Sequence, residues 1–157
     1  MWDTVSLALY QPDIPQNAGA LLRLSACLGI HVDIIEPCGF VFDDRKMRRA
    51  GMDYIERARW ARHPSWQDFA AHLAARQRRL VLLTTRGEHR YDRFSFSPAD
   101  IIMVGRESAG VPPEVAAAAA ARVRIPQAAG ARSLNVAQAA AMVVGEALRQ
   151  LDAFPAD

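Results

Sequence analysis

Only two cysteines, Cys27 and Cys38, and a single lysine, Lys46, occur in 157 residues. Two thiols permit at most one bridge, and their spacing fits neither a metal motif nor a disulfide-rich secreted scaffold, so reduced thiols are expected. No apolar stretch reaches the roughly 20 residues that span a bilayer. The opening Met1-Trp2-Asp3-Thr4 lacks a basic region followed by an apolar run, so no signal peptide is read there. A cytoplasmic protein with no membrane association is expected. Also missing are the three-glycine dinucleotide fingerprint and the phosphate loop ending in Gly-Lys-Ser/Thr. The histidines (His31, His63, His72, His89) lack a two-histidine helical spacing, and no serine sits in a nucleophile-elbow pattern. Nicotinamide, nucleoside-triphosphate, metal and acyl-transfer chemistry all lose support, and no metal is expected.

The bulk composition is ordinary: 51% hydrophobic and 23% charged residues. A chain of this length makes one domain, taken as residues 1–157, and buries about 70% of its unfolded surface without a disulfide or metal staple. Net charge is only +2, but it is unevenly spread. Residues 45–93 hold 13 basic side chains against five acidic ones, a local +8, and the remainder holds six against 12, or −6. All basic residues but Lys46 are arginines, whose planar fork suits phosphates, and Tyr54, Trp60, Trp66, Tyr91 and Phe94 lie among them. The pattern points towards RNA, while Trp60 and Trp66 read as core or interface residues and Cys27 as a packed thiol.

Short β-like runs alternate with helical periods. Strands are expected at residues 5–11, 31–36, 58–62, 79–85, 101–104 and 122–125. Helices are expected from Pro15 to the stop at Gly29, over 43–51, over 65–76 behind the capping box Ser65-Trp66-Gln67-Asp68, over the alanine-rich 112–121, and over 135–151. The continuous apolar run Leu80-Val81-Leu82-Leu83 is the kind that a parallel sheet buries on both faces. Such α/β chains hold ligands at the carboxyl ends of strands. Three loops rich in Gly or Pro fall there: residues 12–19, 105–110 and 126–135.

The first loop reads Pro12-x-Ile14-Pro15-x-Asn17-x-Gly19-x-x-x-Arg23, the second Gly105-x-Glu107-x-x-Gly110, and the third Ile125-Pro126 followed by Arg132-Ser133-Leu134-Asn135. Between them lies Glu36-Pro37-x-Gly39-Phe40-x-x-Asp43-Asp44-x-x-x-Arg48-Arg49-Ala50-Gly51-x-Asp53-Tyr54. Together these resemble the knotted SPOUT RNA methyltransferases over nearly the whole chain, specifically the small TrmL-like branch that methylates the ribose of a tRNA wobble nucleotide. The resemblance implies a single-domain α/β knot: a mainly parallel sheet flanked by helices, a C-terminal trefoil knot, and two chains paired as a homodimer. It implies S-adenosyl-L-methionine as cofactor, cradled by Leu83, Thr84, Gly105, Gly110, Ile125, Ser133 and Leu134, and the tRNA anticodon stem-loop as partner. Catalytic roles fall to Arg23, Asn17, Glu107, Ser133 and Asn135, and RNA contacts to Arg23, Arg48 and Arg49. The chain departs from the family's second motif, commonly Gly-Pro-Glu-Thr-Arg-Gly, at Arg106, Ser108 and Ala109, and has Gly145 where an aromatic is common.

The chemistry stands apart from the name. A sulfonium methyl is already electrophilic, so a protein using it chiefly aligns the 2′-hydroxyl and favours its alkoxide. Arginine normally stays protonated, which makes Arg23 a phosphate clamp before a base. Taken singly, Asn135 and Ser133 read as helix caps, Gly105 and Gly110 as turn residues, Glu107 as a solvated acid and Arg23 as a snorkelling helix residue. Methylation of ribosomal RNA, or non-catalytic RNA binding on the same fold, are the alternatives.

Overall fold

Strand-forming runs that are apolar on both sides need cover on both faces, and the chain supplies it. In a computed structural model that describes residues 4–41, Arg45 and residues 57–157, seven strands form one sheet: β1 (Ser6–Tyr10), β2 (His31–Ile35), β3 (Arg59–His63), β4 (Arg79–Leu83), β5 (His89–Arg90), β6 (Asp100–Val104) and β7 (Ala121–Arg124). Their order is β3-β2-β1-β6-β4-β7-β5 and every pairing is parallel. Among the described residues, α1 (Pro15–Leu28), α2 (Trp66–Arg76) and α3 (Pro113–Ala118) lie in the connections between strands, and α4 (Val136–Leu151) follows β7.

Strand residues alternate between faces. Leu7, Leu9, Val32, Ile34, Val81, Ile102 and Val104 meet α1 and α4 through Leu21, Leu22, Val143, Val144 and Leu148. Ala8, Tyr10, Ile35, Leu80, Leu82, Ile101 and Met103 meet Phe69 of α2 and Val115 of α3 on the other face. Phe69 is fully buried, so its truncation to alanine costs about 3–5 kcal/mol. Ser65 caps α2 as the box predicts, its Oγ accepting from the Asp68 N–H at 3.1 Å. Trp60 and Trp66 pack against the core as expected.

Three expectations are corrected. The alanine-rich run does not stay helical to 121, because α3 ends at Ala118 and Ala120 donates its N–H to the Leu80 carbonyl. Sheet pairing of Ala121 with Val81 there outweighs alanine's helix propensity. The polar stretch after β4 contains the two-residue strand β5, too short for any periodicity to announce. Cys27 is exposed, since α1 buries the stripe Ala18, Leu21, Leu22 and Ser25 and Cys27 lies off it. The expected helix over 43–51 lies almost wholly outside the described residues, as do Arg48, Arg49 and Tyr54.

Much of the basic segment is structural. Arg79 grips the fully buried Asp100 with two bonds of 2.6 and 2.7 Å. Arg78 donates to the carbonyls of Thr4, Pro98, Ala99 and Asp100, each at 3.2 Å. Arg62 pairs with Glu36, and Arg90 with Asp92.

Candidate functional site

Parallel strands end together, and their last residues leave backbone groups free where β4, β6 and β7 stop. A cleft of about 410 Å³ opens at that edge, within the range of small-molecule sites. One wall is Leu82, Leu83, Thr84 and Thr85 at the end of β4; a second is Val104 to Glu107 with Gly110 and Val111 after β6. Ile125 and Gln127 follow β7, Ser133 to Val136 and Ala139 form the entry to α4, and Ile14 and Asn17 close the side from α1.

The loop after β6 is pinched shut. Arg106 and Gly110 exchange backbone hydrogen bonds of 3.0 and 2.8 Å. A Cβ on Gly105 would stand 2.8 Å from the Gly110 backbone, closer than real side chains come, and Gly110 itself has φ +62°. Both glycines are therefore required by the turn. Arg106 donates from Nε to the Gly110 carbonyl at 3.0 Å and lays its guanidinium 5.5 Å from the Tyr10 ring centroid. A second pin holds the β4 exit, where the Thr84 N–H reaches the Val123 carbonyl at 2.9 Å.

The three motif loops are joined by side chains. Asn135 donates from Nδ2 to Asn17 Oδ1 at 3.1 Å, and Asn17 donates from Nδ2 to Glu107 Oε1 at 3.3 Å. Glu107 Oε2 accepts from the Asp13 N–H at 3.0 Å, Asp13 Oδ1 accepts from the Glu107 N–H at 3.2 Å, and Ser108 Oγ donates to Asp13 Oδ2. Asn135 also caps α4, its Oδ1 accepting from Ala137 and Gln138 N–H groups at 2.9 and 3.2 Å. The capping role and the bridging role coexist, using different atoms of one amide. Bonding to Glu107, then to Ser108, draws the Asp13 carboxyl down to about 2. Burial, then the bond to Asp13, pushes Glu107 above the usual carboxylate range. Of the two, Glu107 is the group that takes up a proton first as pH falls.

All seven residues expected around the cofactor (Leu83, Thr84, Gly105, Gly110, Ile125, Ser133, Leu134) line this cleft, and so do Asn17, Glu107 and Asn135. Arg23 does not: it is exposed on α1, outside the lining. Asp13 escaped the sequence reading because the motif treats its position as variable; an acid set between two prolines in a ligand-side loop was the available signal. Thr85, Val111 and Gln127 add to the walls without a signal of their own.

A ligand cleft at the carboxyl edge of a parallel sheet, closed by three cross-linked loops, defines a small-molecule-binding α/β domain of the enzyme type. Residues 4–145 match the SpoU rRNA methylase family model. The chain is 58% identical to a tRNA (cytidine(34)-2′-O)-methyltransferase of Beijerinckia indica over 94% of its own length and 92% of the relative's. It is 41% identical to the enzyme of that name from Escherichia coli K12, over 94% of each. Among solved structures, one described as giving insight into 2-OH methylation of C/U34 on tRNA superposes with TM-score 0.89 at 38% identity, covering 97% of this chain and 99% of that one. The SpoU methyltransferase AviRb of Streptomyces viridochromogenes, solved with AdoMet, gives 0.85 at 25% identity, over 97% of this chain and 62% of that one. The chain belongs to the SpoU methylase family.

Proposed function

We propose that the protein is an S-adenosyl-L-methionine-dependent tRNA 2′-O-methyltransferase acting on the wobble nucleotide, position 34. The observation that carries the reading is the Asn135–Asn17–Glu107–Asp13 chain, which draws three separated motifs into one cleft in a chain so similar to enzymes of that name. The cleft suits the cofactor. Leu83, Ile125 and Leu134 offer apolar side chains, and Gly110, with open space where a Cβ would stand, allows close backbone approach. When bound, S-adenosyl-L-methionine supplies an electrophilic methyl group.

The protein's part is positioning. Leu83, Thr84, Gly105, Gly110, Ile125, Ser133 and Leu134 hold the cofactor, while Asn17, Glu107 and Asn135 fix the loops against the target ribose. Arg23, with Arg48 and Arg49, clamps RNA phosphate, and the Arg23 charge favours the alkoxide form of the 2′-hydroxyl. Because Arg23 faces solvent outside the cleft, we place it across a homodimer in which RNA spans both chains. The exposed apolar residues Ile14 and Leu134 at the cleft and Met142 on α4 support such pairing. The enzyme acts as a single cytoplasmic domain, residues 1–157, whose C-terminal part threads through a loop to make the trefoil knot. No helix among the described residues is long and apolar enough to cross a membrane.

The test is methyl transfer from labelled cofactor to total tRNA, followed by mapping. Label at the ribose of nucleotide 34 is expected. Label confined to ribosomal RNA would move the substrate, and cofactor binding without transfer to any RNA would overturn the activity.

A further inference from the structure

On the face of the sheet opposite α1, using none of the motif residues above, three histidines converge on one buried carboxylate. Asp33, in the middle of β2, is 2% exposed. His63, the last residue of β3, places Nε2 2.7 Å from Asp33 Oδ1, and His31, at the start of β2, places Nε2 3.2 Å from the same oxygen. Both bonds fall on Oδ1, and no hydrogen bond among the described residues reaches Oδ2. His72 comes down from α2, one turn beyond the buried Phe69, and its ring centroid lies 5.0 Å from that of His63. Its nitrogens have no hydrogen bond among the described residues. Donor atoms of Asp33, His63 and His72 all lie within 4.8 Å of one another.

We propose that Asp33, His63 and His72 form a binding site for a divalent cation of the Zn²⁺ type. Two imidazoles and one carboxylate are a donor set that this ion takes, with bonds of about 2.0–2.2 Å. Neighbouring donors around a tetrahedral ion are then roughly 3.4 Å apart, a separation bracketed by the 2.7 Å of His63 to Asp33 and the 4.8 Å limit of the set. Oδ2 and the His72 nitrogens, without hydrogen bonds among the described residues, are the groups left for a ligand. His31 holds the carboxylate from behind, as outer-shell partners of metal ligands do. An ion here ties edge strand β3 and helix α2 to β2, and none of its ligands lines the cleft, so it serves as a clasp.

The sequence could not announce this. The ligands come from three elements, so they show no helical two-histidine spacing.

Untagged protein stripped with a chelator is titrated with Zn²⁺ by calorimetry, with Co²⁺ as a spectroscopic stand-in. One equivalent should bind, raise the thermal midpoint and give the intense visible bands of a low-coordinate Co²⁺ site. His72→Ala, at a half-exposed position, should fold normally and lose at least about 10-fold in affinity, and the outer-shell His31→Gln should weaken binding by about 10-fold. His89→Ala, outside the cluster, should bind as the parent does. Absence of saturable Zn²⁺ binding, or unchanged affinity in folded His72→Ala, would overturn the proposal.

Discussion

Asp13 and Glu107, 94 residues apart, hold each other through reciprocal bonds in which each backbone N–H donates to the other's carboxylate, at 3.0 and 3.2 Å. Burial raises the proton affinity of Glu107, while bonding to Glu107 and then Ser108 holds the Asp13 carboxyl down at about 2.

The sign of the pH dependence follows. A raised Glu107 stabilises the loops below its ordinary carboxylate range, and that contribution is lost as pH climbs through its raised folded value. The lowered Asp13 contributes above its ordinary 3.8 and is lost only as pH falls towards 2. Cofactor affinity measured by calorimetry should therefore weaken as pH rises through the Glu107 transition. Glu107→Gln, which removes the titrating group and keeps an oxygen to accept from the Asp13 N–H, should remove that dependence. An unchanged pH profile in Glu107→Gln would show that another group sets it.

Asn135 separates capping from bridging. Asn135→Ser retains an N-cap oxygen for Ala137 and Gln138 but is too short to reach Asn17, so urea unfolding should show little change while turnover falls. Asn135→Ala loses the cap as well and should cost about 1 kcal/mol more. Equal turnover in the parent and Asn135→Ser would remove the bridge from the mechanism.

Two glycines should respond in opposite directions. Gly105→Ala places a Cβ 2.8 Å from the Gly110 backbone, so the loop must open and cofactor affinity should drop although the sheet stays folded. Gly145 lies inside α4, with nothing within 4 Å of where its Cβ would be. Gly145→Ala should raise stability by up to about 1 kcal/mol through helix propensity. Thermal unfolding and calorimetry on the two variants check both.

The legible parts of this protein are those where one element carries its own signal. The run Leu80 to Leu83 announced a buried parallel strand, and the loops at 12–19, 105–110 and 126–135 announced a ligand edge, because each pattern is local. What escaped needed partners distant in sequence. Strand β5 exists because β7 offers it an edge to pair with, and α3 stops early because the Leu80 carbonyl takes the Ala120 N–H. Asp13 gains meaning only opposite Glu107, and the Asp33 cluster only once β2, β3 and α2 are packed. The charge count misled in the same way, since +8 over residues 45–93 does not say which arginines are already spent on carbonyls and carboxylates.

That division of the arginines leads to a contrast between two of them. Arg79 is bound to Asp100, which is fully buried and also accepts from the Ser97 N–H at 2.8 Å. Arg79→Met leaves that carboxylate without its charged partner. Loss of one member of a buried pair costs about 3–5 kcal/mol, and less here because the arginine is part-exposed, so about 2–3 kcal/mol is expected. The affinity of the folded protein for tRNA should be untouched. Arg23, exposed on α1 and outside the cleft, should behave inversely: Arg23→Ala keeps the unfolding midpoint and abolishes methyl transfer. Urea unfolding alongside a filter-binding and transfer assay separates the two. If Arg79→Met lost tRNA affinity while keeping its stability, or Arg23→Ala kept full turnover, the assignment of one to the fold and the other to the RNA would be reversed.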